Sequence, residues 1–337
     1  MMKIALFIGR RLLIAAPQII GITLVTFWLI RLLPGNPAYQ LAGPYPTKET
    51  IAAIQAELGL SKPVYEQYVK YLGNLVHGDF GQSWFTTAPV SDELAKRLPA
   101  TLELITVATF FIVVGGILAG VLVALSRRSF LDRVLDLYGS LSGAFPDFWL
   151  GLVLAYVFFF SLGWLPPPLG RLDVGVSPPP QVTGMYTIDS LIAGDWGAFR
   201  SALAHLVLPV ATLVIVYMAA ILKMTRSTVE EMLRSEMCTY ARAAGLPDRT
   251  ILRYALRNSL GPIVTLIGLT YGYLLGGAVL VEKVFSWGGL GSYVVDSVLR
   301  ADYFPVQAFV LVAAVFNFAV YLIVDLVHLA VDPRVEY

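Results

Sequence analysis

Six apolar runs, each close to the roughly 20 residues that a helix needs to cross about 30 Å of hydrocarbon, dominate this sequence. They lie near 12–30, 101–125, 134–163, 202–222, 261–281 and 305–328. Lipid offers no hydrogen bonds, so such runs fold as helices that satisfy their own backbone. Composition points the same way. Of all residues 57% are hydrophobic and only 14% are charged, against roughly 25% charged in a soluble domain. A soluble fold of this length has no room to hide that much apolar surface. The expectation is an all-α integral membrane protein of six transmembrane helices in a single domain, 1–337. The first run follows Lys3, Arg10 and Arg11 as a secretory signal would. Its apolar stretch is too long for one, and no small-x-small cleavage site precedes Arg31, so it is read as a retained helix.

Orientation follows from the short connections, because Lys and Arg resist translocation. The N-terminus carries Lys3, Arg10 and Arg11, and the second-to-third connection carries Arg127, Arg128 and Arg133. The 223–260 connection carries Lys223, Arg226, Arg234, Arg242, Arg249, Arg253 and Arg257. With six spans these fall on one side, together with Arg334, whereas the fifth-to-sixth connection holds only Lys283 and Arg300. The basic side, with both termini, is expected in the cytoplasm. The 31–100 segment is then external, and helical spacing in AAIQAELGL and VYEQYVKYLGNLV predicts amphipathic helices there. The external 164–200 loop is Pro-rich and expected to be mostly irregular.

Several chemistries are excluded. A net charge of +1 gives no field for nucleic acid, and Cys238 is the one cysteine, so no intrachain disulfide or cysteine metal cage forms. No lysine follows a glycine, so the phosphate-cradling G-x-x-x-x-G-K-[ST] loop is absent. His77, His205 and His328 lie on different segments, unlike a zinc hydrolase motif. GSLSG at 139–143 puts Leu141 where a serine nucleophile belongs. No enzyme signature remains. Ionisable residues inside spans are costly and are functional candidates: Asp147 beside Pro146, His205 and Asp325. His205 and Asp325 stand near span ends, where a polar head costs little. Asp147 reads equally as a passage residue or as part of a helix break.

The 223–260 connection is too rich in helix formers to be a tether and too charged for lipid, which predicts two or three short helices. Gly245, Leu246 and Pro247 break the first: glycine supplies the left-handed cap, proline prevents continuation, and Asp248 can cap the next start. Tyr240, Ala241, Ala243 and Leu246 are candidate knobs for a partner groove, with Arg242 and Arg249 on acidic rims. A basic loop lying on lipid headgroups or on its own bundle is the equal alternative.

Motifs in order along nearly the whole chain carry a resemblance. They are LLPGNPA around 33–38, ELGLSKPVYEQY at 57–68, HGDFGQS at 77–83, PV at 89–90 and RLPATLEL at 97–104. FPDFWLG at 145–151, HLVLP at 205–209, ARAAGL at 241–246 with ALRNSLGP at 255–262, the block from Val284 to Gln307, and DPRV at 332–335 complete the set. Together they resemble permeases of ATP-binding-cassette importers, in the dipeptide, oligopeptide and nickel family. The long Pro-rich loop is similar to that of the first-subunit dipeptide branch. Asn36 stands where the family usually has Asp, Gly288 where it has Pro, and Ala244 where many members have Lys; Glu236 lies further upstream than the family's loop glutamate.

The resemblance implies a type I importer permease fold with external amphipathic helices and a cytoplasmic coupling helix. It also implies pairing with a second homologous permease subunit, two cytoplasmic ATP-binding subunits below and an external solute-binding protein above. ATP and Mg would sit on the partners, with no cofactor on this chain. The coupling helix would span 236–249, carried by Glu236, Tyr240, Ala241, Arg242, Ala243, Gly245, Leu246, Pro247 and Arg249. Phe145, Asp147, Tyr271, Tyr273 and Asn317 are expected to line the passage or gate. Gly268, Gly272 and Gly276 offer a small-residue packing face for a second subunit or for the chain itself, and Gly116 with Gly120 a second one. The implied activity is bacterial or archaeal plasma-membrane import of dipeptides or oligopeptides, with other solutes (a nickel chelate, glutathione, an opine, haem) as alternatives. A self-sufficient carrier or channel is the rival class.

Overall fold

The computed structural model describes residues 2–32, 38, 42, 45–57, 59, 61–126 and 130–331. The 33–37 stretch with Asn36, Arg127, Arg128, and the DPRV run with Arg334 lie outside them. Regular structure among the described residues is helical: α1 (Met2–Leu32), α2 (Lys48–Glu57), α3 (Val64–Val76), α4 (Val90–Leu125), α5 (Phe130–Leu141) and α6 (Asp147–Ala155), which continues into one π turn at Tyr156–Ser161. Then come α7 (Tyr186–Ala193), α8 (Trp196–Arg234), α9 (Glu236–Ala243), α10 (Asp248–Gly277), α11 (Val279–Val284), α12 (Leu290–Leu299) and α13 (Tyr303–Val331).

Among the described residues five helices, α1, α4, α8, α10 and α13, are long and apolar enough to cross a membrane. The expected span at 134–163 is not one helix. α5 stops at Leu141 and α6 starts at Asp147, with Pro146 extended at φ −60, ψ 139 as its N-terminal flank. Gly143 weakens the helix locally, and Pro146 lacks the N–H needed to continue it and pushes Phe145 out of the helical region. The 223–260 connection also differs from expectation. α8 runs on to Arg234 and α10 begins at Asp248, so one short helix, α9, stands between two extended spans.

The chain divides into two compact units, 1–101 with 288–318 and 102–287 with 319–337. In the first, α3 packs on α1. The Phe27 ring meets Tyr68 at 5.1 Å and Tyr71 at 5.8 Å, while the Arg31 guanidinium stands 3.4 Å over Phe27 and donates to Gln67 Oε1 at 2.8 Å. The turn after α3 is tied to the start of α13 by Ser83, whose hydroxyl donates to the buried Asp302 carboxylate at 2.6 Å. Arg300 lies 3.3 Å over the Phe85 ring beside it.

In the second unit, α8 is the mast. Gly116 and Gly120 bring α4 onto it: a Cβ on Gly116 would stand 2.8 Å from Ile221, and one on Gly120 2.7 Å from Thr225. α5 is held by Arg226, which pairs with Asp132 at 3.0 Å, Glu230 at 2.9 Å and Asp136. The Gly268, Gly272, Gly276 series is not one packed face. A Cβ on Gly268 would fall 2.1 Å from Val324 of α13, an intrachain contact, whereas Gly276 has nothing within 4 Å.

The 164–200 segment is largely without helix but is pinned in place. Glu103, 3% exposed on α4, accepts from Arg171 at 2.5 Å and from the Thr187 amide and hydroxyl at 2.7 and 2.6 Å. Arg171 also donates to the Gly184 carbonyl at 3.1 Å and stacks 3.6 Å over Tyr186. Nearby, buried Asp189 accepts from the amides of Val182, Thr183 and Gly184 and from the Thr183 hydroxyl. Burial alone would raise its pKa, but these donors outweigh it and hold the carboxyl below its ordinary 3.8. His205 belongs to the same anchorage: Nδ1 meets the Ser201 carbonyl at 2.9 Å and Nε2 faces Asp173 at 3.9 Å.

Candidate coupling helix and passage

α9 is built by local chemistry at both ends. The Ser235 hydroxyl accepts from the Cys238 amide at its start. At its end Gly245 takes φ +78, its amide donates to the Arg242 carbonyl at 3.0 Å, and the Leu246 amide reaches back to Ala241 at 3.1 Å. This is the paired 5→2 and 6→1 closure of a Schellman motif. Pro247 then flanks α10, and Asp248 is the first residue of that helix, where its charge suits the dipole; it is not the cap.

One face of α9 is already used. Cys238 and Ala241 are buried with Ile251 and Ala255 of α10, and Met232 and Leu233 pack against them. Ala241 is therefore turned into the chain's own core and is unavailable as a knob. The opposite face carries Tyr240, 78% exposed, with Met237 and Leu246, and with Ala243 and Gly245 exposed beside them. Arg242 and Arg249 form no ion pair among the described residues, and both line a cavity of about 960 Å³ with Arg234, Asp132 and Asp248. Glu236 is exposed in the first turn. Met237 and Ser235 escaped sequence reasoning. The cap was legible as a serine before a helical octet, and Met237 follows from the helical spacing to Tyr240 and Ala244.

The second cluster gathers at the start of α6. Asp147 accepts from the Tyr217 hydroxyl at 3.0 Å and from the Phe148 amide at 2.7 Å. The Tyr217 ring meets Tyr273 at 5.8 Å, and Phe145 stacks on Trp149 at 4.9 Å. Asp147 and Tyr273 thus meet through Tyr217, and Phe145 pairs with Trp149; the sequence flagged neither Tyr217 nor Trp149. Tyr217 lies too far along the chain for any pattern to link it to Asp147. Tyr271 instead pairs its hydroxyl with Thr106 at 2.8 Å, and Asn317, in the other unit, donates to the Ala313 carbonyl of its own helix.

Residues 116–337 match the profile described as binding-protein-dependent transport system inner membrane component, and 4–105 match the N-terminal profile of the same systems. The chain belongs to this permease family. The permease is 41% identical over 98% of both chains to the di/tripeptide transport system permease protein DppB of Pseudomonas aeruginosa (strain UCBPP-PA14). It is 38% identical over 97% of its length, and 98% of the relative, to the dipeptide transport system permease protein DppB of Alkalihalophilus pseudofirmus. To the glutathione transport system permease protein GsiC of Escherichia coli (strain K12) it is 35% identical over 98% of its length and 99% of the relative. With its apolar helices, the permease is a multi-pass membrane protein.

Proposed function

We propose that this chain is the permease subunit of an ATP-driven importer of dipeptides or oligopeptides. It crosses the plasma membrane six times, the third crossing being made of α5 and α6 as two half-helices. Its termini and the 223–260 connection face the cytoplasm, as the clustered arginines require. It pairs with a second homologous permease, receives solute from an external binding protein and holds no nucleotide, ATP and Mg being bound by two ATPase subunits. The observation that carries this reading is α9, a capped helix whose inner face is locked to α10 while Met237, Tyr240 and Leu246 stand bare in a polar loop. ATPase closure would push on that face and tilt α8 and α10, which continue directly into it, to alternate the access of the passage at Phe145, Asp147 and Tyr273. The identity to peptide permeases supports the substrate class, and the 35% identity to a glutathione permease supports a small γ-linked peptide as the second reading.

The test is reconstitution of this chain with its partner permease, ATPases and binding protein in vesicles. Uptake of a labelled dipeptide should require ATP. Ala243→Glu and Tyr240→Ala, both at exposed positions, should abolish uptake and ATPase co-purification while membrane insertion persists. Undiminished uptake in Ala243→Glu would refute the coupling role, and solute flux by the chain alone would establish the self-sufficient carrier instead.

A further inference from the structure

Asp147 differs from the paired and wrapped acids of its unit by what it lacks. Glu103 has Arg171; Asp132 and Asp136 share Arg226; Asp189 is wrapped in four N–H and O–H donors. Asp147 forms no ion pair among the described residues and accepts only the Tyr217 hydroxyl and the neighbouring Phe148 amide. A carboxylate has about four lone-pair directions, so acceptor capacity remains. Tyr217 leads from it to the Tyr273 ring, and Phe145 and Trp149 stand two residues away along the chain. Phe145 is 48% exposed and Trp149 44%, stacked nearly parallel at 21°, and Tyr273 is 61% exposed against Tyr217. A carboxylate without a cation, in a stretch that also carries exposed aromatic rings, is chemistry suited to an alkylammonium: the carboxylate takes its N–H donors and a ring takes part of its charge.

The reading that peptides cross here supplies a matching feature, and this inference rests on that reading. Side chains differ from peptide to peptide, while a free α-ammonium is common to nearly all of them at neutral pH. A passage that must tolerate varied side chains gains by holding the one group that does not vary. We propose that Asp147, with Trp149, Phe145 and Tyr273, is the transient contact for the α-ammonium of the peptide in transit, and so selects peptides with a free amino terminus over neutral isosteres.

The assembled transporter in vesicles tests this with two probes of equal size, alanyl-phenylalanine and its lactoyl analogue, in which a hydroxyl replaces the ammonium. Each variant is assayed with the same binding protein, whose own discrimination cancels when the ammonium-to-hydroxyl uptake ratio of the variant is divided by that of the wild type. Asp147→Asn should lower this ratio about tenfold, the scale of one charge-assisted hydrogen bond. Asp147→Glu should preserve it, and Tyr217→Phe, which keeps the charge, should leave it near the wild-type value. Trp149→Leu, at a half-exposed position, should lower it about threefold and decides the matter by itself if Asp147→Asn fails to assemble. An unchanged ratio in Asp147→Asn and Trp149→Leu, with wild-type uptake of the dipeptide intact, overturns the ammonium contact and leaves peptide import standing. No dipeptide uptake by the wild-type assembly overturns both.

Discussion

Replacing Arg171 by methionine removes one half of an ion pair whose other half has nowhere else to go. Glu103 is 3% exposed, and its remaining donors are the amide and hydroxyl of Thr187. Removing one partner of a buried pair typically costs about 3–5 kcal/mol, because the surviving charge keeps its desolvation penalty. Methionine retains most of the arginine stem, so the loss reports charge and hydrogen bonding more than packing. The cost falls on the docking of 164–200 onto α4, which raises the local opening equilibrium by between about a hundredfold and a few thousandfold. Hydrogen–deuterium exchange of a peptide covering 182–193, measured in nanodiscs, reads this directly through the Thr183, Gly184 and Thr187 amides. Glu103→Gln on the Arg171→Met background should recover at least half of the loss, since glutamine still accepts from Thr187 without a stranded charge. Exchange accelerated by less than about fivefold in Arg171→Met would show that Glu103 is solvated and that the segment is held by something else.

Three further outcomes follow from the same geometry. At Gly245 the space for a Cβ is open but φ is +78, so the penalty is backbone strain of about 1–2 kcal/mol. Stability of α9, followed by proteolysis at 244–247, should rank Gly above Asn above Ala; Ala matching Gly would contradict the left-handed cap. Asp189 ionises more readily folded than unfolded, so its contribution is complete above the unfolded pKa near 3.8 and is lost as pH falls through the lower folded value. Acid-induced opening of 182–193 should therefore disappear in Asp189→Asn, which is already loosened at pH 7, and equal acid sensitivity in both proteins would count against this. Gly116→Val drives a branched side chain into Ile221 at 2.8 Å and should cost at least about 1–3 kcal/mol, whereas Gly276→Ala, with nothing within 4 Å, should be neutral or stabilising in a thermal melt.

Signals within one helical turn or one apolar run were legible in the sequence. The AAGLP run announced the end of α9, and the structure realises it with the two reverse hydrogen bonds onto Arg242 and Ala241. The five long helices coincide with apolar runs, and α2 and α3 with the amphipathic stretches. What joins distant residues was not legible. Arg171 gives no hint of Glu103, nor Asp147 of Tyr217, because each meeting depends on how α4, α6 and α8 pack. The same limit explains Gly268. Its spacing to Gly272 and Gly276 is a pattern on one helix, and only the arrival of Val324 decides that one member is crowded and another bare.

The break at 142–146 was written in the sequence as Gly143 and Pro146, yet a window about 20 residues long averages over it. Its physical meaning goes beyond a lapse of hydropathy. Under the six-crossing reading the break lies at membrane depth, where non-helical backbone is tolerated only against protein or water. Residues 143–146 are exposed in this chain. α6 moreover begins without a side-chain cap from Pro146, and the Asp147 carboxylate takes only the Phe148 amide, leaving the other first-turn donors to be satisfied from outside. Lipid does neither job. The exposed break therefore argues for an aqueous passage at this place, a second subunit packed over it, or both. A heterodimeric permease with its passage beside Asp147 supplies both, and a monomeric bundle bathed in lipid supplies neither.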